Sequence, residues 1–182
     1  MNIVKDSRYG PFIFPNKDKY IGKSFDFYGE FSYHEVSFLK SLIEPGNVVI
    51  DCGANIGGIT IPLAQKIGAG GYMVAFEPQQ YIYHILCGNV AINNLTNTAV
   101  FQRLASNVDG EVRGMPVLNY EAEGNFGDNS TDKVQEDMLC IPVATCTIDN
   151  LNLSALHLIK IDVQGEELDV LNGASESIKR TR

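Results

Sequence analysis

The stretch Val48-Val49-Ile50-Asp51-Cys52-Gly53-Ala54-Asn55-Ile56-Gly57-Gly58 constrains the fold more than any other part of the chain. Its consecutive β-branched apolar residues read as a short strand covered on both faces, as in a parallel sheet. The strand ends at an acid and enters a glycine-containing turn. Ile56, Ile59, Leu63 and Ile67 then follow at helical spacing, closed by Gly68 and Gly70-Gly71. Pro62 fits that helix only if it lies in the first turn. A strand–turn–helix of this kind opens an α/β fold, whose ligands sit beyond the carboxyl ends of the strands.

The alternation repeats downstream. Tyr72 to Phe76 reads as a second strand ending in Glu77-Pro78, and residues 79–94 as a helix burying Ile82, Ile85, Leu86 and Val90. Asn89 shares that face and needs buried partners, expected in neighbouring loop backbone before the cofactor's edge. Thr98 to Leu104 reads as a third strand and Leu156 to Val163 as a fourth, followed by a helix through Leu168, Leu171 and Ile178. Residues 106–150 are rich in Gly, Pro, Asn and Asp, with β-prone pieces at 112–120 and 140–148. That predicts a hairpin-like insertion between the third and fourth strands. Upstream, residues 1–32 read as an irregular arm or lid. A helix from Tyr33 carries Val36, Leu39, Leu42 and Ile43 on one face and stops at Pro45-Gly46. The 182 residues are thus predicted as one domain: an arm and helix over 1–45, then a Rossmann-like α/β core over 46–182. Its layers form a three-layer sandwich on a mostly parallel sheet with right-handed crossovers.

Polar residues gather where the strands end: Asp51, Glu77, Ala105-Ser106 and Asp162. Gly53 and Gly57 carry no Cβ to block a cofactor, and the turn is expected to offer backbone N–H groups to an anionic or zwitterionic ligand. The spacing G-x-x-x-G-G is not the dinucleotide fingerprint G-x-G-x-x-G. Asp51 would repel a pyrophosphate but suits the ammonium of a methionine moiety, which favours S-adenosyl-L-methionine over NAD. Glu77, 26 residues after Asp51, is placed to accept hydrogen bonds from two ribose hydroxyls. The candidate cofactor-binding set is Asp51, Gly53, Ala54, Asn55, Gly57, Glu77, Pro78, Ala105 and Ser106.

Lys160 and Asp162 stand two apart on an apolar strand and so are expected on one face. Two readings compete for them. In the catalytic one, Asp162 orients or deprotonates an acceptor hydroxyl and Lys160 tunes it. In the other, they serve a buried ion pair that holds the strand to its neighbours. His34 could serve as a base if the N-terminal segment folds over the cofactor, and the polar segment NFGDNS (125–130) is expected to touch the acceptor. No metal site is expected. The three histidines are scattered, and the four cysteines show no C-x-x-C pair and read as reduced residues of a cytoplasmic protein.

The segments VVIDCGANIGGITIPLA, FEP, GNVAINN (88–94), TIDNL (147–151) and LIKIDVQGEELDVLNGA (158–174) resemble the FkbM family of S-adenosylmethionine-dependent methyltransferases. The resemblance covers most of residues 45–178. It implies a class I methyltransferase fold, S-adenosyl-L-methionine as methyl donor, and transfer to an oxygen of a small molecule or sugar. It also implies that Asp51, Gly53, Asn55 and Gly57 line the methionine end of the donor and Glu77 its ribose. Gln164 departs from the family, where many relatives have Glu. The class I sheet has seven strands, of which four core strands are counted here. The C-terminal strands are therefore expected to be missing, leaving the fourth strand an unprotected edge in a chain that is truncated or completed by a partner.

Two further readings compete with an O-methyltransferase: a non-catalytic S-adenosylmethionine-binding fragment, and an NAD-binding oxidoreductase domain. With 22 acidic and 14 basic residues, a net −8, nucleic acid is not expected as a partner, because phosphate contacts need clustered Lys and Arg. No NPPY-like motif follows the fourth strand. No apolar run approaches the ~20 residues that span a bilayer, and no membrane partner is expected.

Overall fold

The computed structural model describes residues 1–131, 134 and 137–181. Four strands form the predicted parallel sheet: β3 (Val48–Cys52), β4 (Tyr72–Phe76), β5 (Thr98–Phe101) and β9 (Leu158–Ile161), in the order β5-β4-β3-β9. The first of these strands along the chain, β3, lies between β4 and the last, β9, so the direction of sheet growth reverses beside β3. In the register, Asp51 faces Ala75 on one side and Lys160 on the other. Among the described residues β9 pairs with β3 alone.

Strand alternation distributes the apolar side chains between two layers. Val49 and Met73 turn toward α2 (Tyr33–Ser41) and α3 (Thr60–Ile67), packing with Val36, Leu39, Ile43, Leu63 and Ile67. Ala75 meets Leu86 of α4 (Gln80–Ile92) on the same side. Ile50, Cys52, Val74 and Phe76 turn the other way, onto Val170 of α5 (Glu167–Asn172) and Ala174, which precedes α6 (Ser175–Arg180). The result is the expected helix–sheet–helix sandwich. Pro62 is the third residue of α3, in the first turn, where no intrahelical N–H bond is lost.

Several elements depart from the sequence expectation. Residues 1–32 are ordered into a hairpin, β1 (Asn2–Ser7) and β2 (Gly10–Pro15), followed by α1 (Ile21–Tyr28). Phe12 and Phe14, two apart on β2, bury one face against Phe25 of α1, with Phe12 stacked at 4.3 Å. The reading of an irregular arm is therefore corrected. On α2 the helix ends at Ser41, and Leu42 turns outward, 52% exposed. The third strand is cut short at Phe101. Leu104–Ala105 (β6) instead runs parallel to β8 (Cys140–Cys146), which pairs antiparallel with β7 (Val112–Pro116) as the predicted insertion. The last helix breaks at Gly173, where a Cβ would strike the Ser106 carbonyl. Val170 and Ala174 form its buried side, while Leu168 and Leu171 face out.

Asn89 holds the N-terminal hairpin to the core. Its Oδ1 accepts from the Ile13 N–H at 2.7 Å, and its Nδ2 donates to the carbonyls of Ile13 (2.9 Å) and Ile56 (2.7 Å). The side-chain amide thus takes the place of a neighbouring strand for Ile13 and also fastens the turn after β3. Replacing Asn89 with Ala strands these groups in a site that is 0% exposed. A loss of about 2–3 kcal/mol of stability is expected, measured as a lowered urea midpoint, together with faster amide exchange at Ile13.

Candidate functional site

A cavity of 380 Å³ opens beyond the carboxyl ends of β3, β4 and β9. The turn after β3 supplies Gly53 and Asn55, the end of β4 supplies Glu77 and Pro78, and the end of β9 supplies Asp162, Val163 and Gln164. Leu104 and Ala105 form another wall, and most of residues 125–131 close it from the insertion. This is the position that the switch in strand order dictates.

The turn after β3 is closed upon itself. Gly53, at φ +79°, and Ala54 both donate their N–H to the Phe76 carbonyl, at 3.0 and 2.9 Å. The Asn55 N–H goes to Glu77 Oε2 at 2.9 Å, that of Ile56 to Asn55 Oδ1 at 2.8 Å, and that of Gly57 to the Ala54 carbonyl at 2.9 Å. Five consecutive donors are therefore committed within the protein. The expectation that this turn presents free N–H groups to a ligand is corrected. What it presents instead are the Asn55 position and the carboxylate of Glu77.

Glu77 is 3% exposed. Oε2 accepts from Asn55 N, and Oε1 accepts from Gln79 N at 2.9 Å, so each oxygen keeps a further lone pair. Burial raises its pKa to about 7, against the opposing pull of the two backbone donors and of Lys160.

Asp51 lies behind the cavity. Its parity on β3 matches Val49, which sends the side chain into the layer of α3, where Oδ2 accepts from Thr60 Oγ1 at 2.7 Å. Among the described residues Oδ1 has no hydrogen-bonded partner but lies 3.0 Å from Lys160 Nζ, and both side chains are buried. Lys160 Nζ also donates to the Gly53 carbonyl at 2.9 Å. Burial acts to lower the Lys160 pKa, yet the adjacent Asp51 carboxylate outweighs it and the net shift is upward. Lys160 thus follows the ion-pair reading, holding its strand to a neighbour and standing apart from Asp162. The ion pair is Lys160–Asp51, formed across the register of β9 and β3. Asp162, whose N–H donates to the Cys52 carbonyl at 3.0 Å, is exposed and lines the cavity, and its Oδ1 accepts from Gln164 Nε2 at 3.1 Å.

Of the remaining candidates, Gly53, Asn55, Glu77, Pro78 and Ala105 line the cavity, whereas Asp51, Ala54, Gly57 and Ser106 do not. Gly57, at φ +94°, is needed for packing, because a Cβ would press on Leu86 and Ile61. Ser106 is buried beside Arg113. His34 is exposed on α2 and is absent from the cavity wall. The segment singled out for acceptor contacts lines it through Asn125, Gly127, Asp128, Asn129 and Ser130.

Sequence reading missed Gln79, Arg103 and Glu166. Gln79 braces the wall by donating to the Phe126 carbonyl at 3.0 Å and accepting from Tyr120 Oη at 3.1 Å. Glu166 is held by Thr131 Oγ1 at 2.6 Å and Arg113 at 3.1 Å. The adjacency of Gln79 to Glu77-Pro78 was a usable signal, whereas the contacts of Glu166 are long-range.

Residues 51–182 match the family described as the Methyltransferase FkbM domain. A methyltransferase FkbM from Methylobacillus flagellatus KT has a similar fold, with a TM-score of 0.51 and 20% identity over 82% of this chain and 35% of that one. Methanocaldococcus jannaschii TYW2, solved with AdoMet, is 26% identical, with a TM-score of 0.43 over 62% of this chain and 47% of that one. A curated relative, the tRNA(Phe) (4-demethylwyosine(37)-C(7)) aminocarboxypropyltransferase of M. jannaschii, is 42% identical over 66 residues, 36% of this chain. The chain spans only 25% of that relative's length. The exclusion of nucleic acid as a partner is corrected by this relative, whose name places its action on tRNA. The physical reason is that a net charge of −8 sums over the whole surface and does not report the charge of one binding face. Among the described residues no helix is long and apolar enough to cross a membrane.

The raised pKa of Glu77 fixes a pH dependence. The native state binds this proton more tightly than the unfolded chain. The contribution to stability is therefore fully present below the ordinary carboxylate value of 4.5 and is lost as pH rises to about 7. Urea unfolding of the wild type and of Glu77→Gln across this range should show the wild type losing stability relative to the variant up to about pH 7, then holding level. A constant difference would show that Glu77 titrates as an ordinary carboxylate.

Proposed function

The chain belongs to the FkbM methyltransferase family, and we propose that it moves the methyl group of S-adenosyl-L-methionine to a hydroxyl oxygen of a small molecule or sugar. The observation that carries the donor assignment is the charge balance of the cavity. Among the described lining residues Glu77, Asp162 and Glu166 are acidic and Arg103 is basic, and the N–H groups of Gly53 to Gly57 are committed within the protein. Such a site repels a pyrophosphate and suits a ligand that carries a sulfonium and an ammonium. S-adenosylmethionine, when bound, supplies a methyl group already activated for transfer.

The protein's own residues then have separable duties. Glu77 accepts hydrogen bonds from the ribose hydroxyls with the lone pairs left by Asn55 N and Gln79 N. Asn55 and Gly53 hold the methionine end. Asp51 contributes from behind, by fixing Lys160 and through it the Gly53 carbonyl. Asp162, exposed at the mouth and steadied by Gln164, takes the proton of the acceptor hydroxyl as the new bond forms. Most of the acceleration comes from holding acceptor and donor in line in a partly closed site. An acceptor group on RNA is the second reading, favoured by the stretch shared with the tRNA-modifying relative. The donor side of the site is the same in both.

Calorimetric titration of the chain with S-adenosylmethionine, S-adenosylhomocysteine and NAD tests the donor assignment. The two adenosyl compounds should bind and NAD should not. Glu77→Gln should weaken both on the order of 10- to 100-fold through loss of charged hydrogen bonds. Binding of NAD alone, or undiminished binding to the variant, would overturn the assignment.

A further inference from the structure

A second cavity, 250 Å³ in volume, adjoins the first, and Gln79 and Met115 belong to the walls of both. Its character is the opposite of its neighbour's. Tyr81, Tyr120, Pro116, Val117 and Ile141 join Met115 to line it, with Gln80 and His84 exposed at the rim. Among the described residues no Asp, Glu, Lys or Arg lines it.

The two tyrosines are fixed in place. Their ring centroids lie 4.3 Å apart at 33°, and Phe126 backs Tyr120 edge-on at 4.9 Å. Both hydroxyls are engaged elsewhere, Tyr81 Oη donating to Asn2 Oδ1 at 2.9 Å and Tyr120 Oη to Gln79 Oε1 at 3.1 Å. The rings therefore offer apolar surface to the cavity and keep their polar ends occupied. Gln79 is fixed too, since Asn129 Nδ2 approaches its Oε1 at 3.2 Å and its own amide reaches the Phe126 carbonyl. Met115, the other shared residue, has an unbranched thioether that adapts to different neighbours.

Space supports a division of labour. At 380 Å³ the acidic cavity is near the small end of the ~300–1,000 Å³ typical of ligand sites, room for one nucleoside-sized molecule. A methyl acceptor must draw its binding from adjoining surface. We infer that the second cavity receives the apolar, ring-bearing body of the acceptor, whose hydroxyl reaches past Gln79 and Met115 into the first cavity. The inference rests on the proposed methyl transfer and narrows its acceptor to a hydroxylated compound with an apolar ring. A wholly polar polyol has nothing to place between Tyr81, Tyr120 and Ile141.

The probe is 2-naphthol, a hydroxyl on an apolar ring system, titrated into the chain with its methionine methyl groups labelled with carbon-13. myo-Inositol is the polar comparison. 2-Naphthol should shift the Met115 methyl signal saturably, and inositol should not. Val117, 38% exposed at the rim, tolerates Lys without loss of the core. Val117→Lys brings an ammonium into the apolar slot and should weaken 2-naphthol on the order of tenfold or more. A non-saturating response, equal binding to Val117→Lys, or a Met115 response to inositol instead would overturn the subsite. S-adenosylhomocysteine titrated into the same wild-type sample separates the failures. If it binds while 2-naphthol does not, only the subsite falls. If it does not bind, the methyl-transfer reading falls and the subsite with it.

Discussion

The buried ion pair between Asp51 and Lys160 is the interaction on which the site depends. It joins directly opposed residues of β3 and β9, strands that meet across the point where the sheet reverses its growth. Lys160 also grips the Gly53 carbonyl, so the same ammonium anchors the turn that floors the cavity. Its charge further opposes the effect of burial on Glu77. A buried pair of this kind adds little net stability over apolar packing, but removing one partner leaves the other charge stranded. Its contribution is to fix strand register and turn geometry together.

The closed turn decides what kind of ligand the cavity accepts. In dinucleotide sites the glycine turn leaves backbone N–H groups pointing at phosphate. Here the corresponding donors are spent on Phe76, Glu77, Asn55 and Ala54, and the cavity rim is acidic. The sheet places its strand ends as any Rossmann-like fold does. The local hydrogen bonding then converts the site from one that attracts anions to one that tolerates cations.

Much of this was legible in the sequence because it depends on short-range patterns. The β3–turn–α3 unit, the second strand with Glu77 at its end, the insertion built on β7 and β8, and the polar segment at 125–130 all follow from periodicity and turn chemistry. The duty of Asp51 was misread although the pattern contained it. Alternation puts Asp51 on the Val49 side, toward α3, and away from the mouth. The buried ion pair foreseen for Lys160 is there, but its partner, Asp51, lies on another strand and could be named only from the register. The hairpin at the N-terminus escaped notice because its order comes from Asn89 and Phe25, distant in sequence. The exclusion of nucleic acid failed because net charge has no address on the surface.

The most direct test of this account is a double-mutant cycle on the ion pair, with Asp51→Asn, Lys160→Met and the double variant compared by urea unfolding. Each single substitution should cost about 3–5 kcal/mol, since each strands a buried partner. The double variant should cost less than the sum of the two by roughly 2 kcal/mol or more. Strictly additive losses would mean that Asp51 and Lys160 act independently and that the turn beneath the cavity is held by something else.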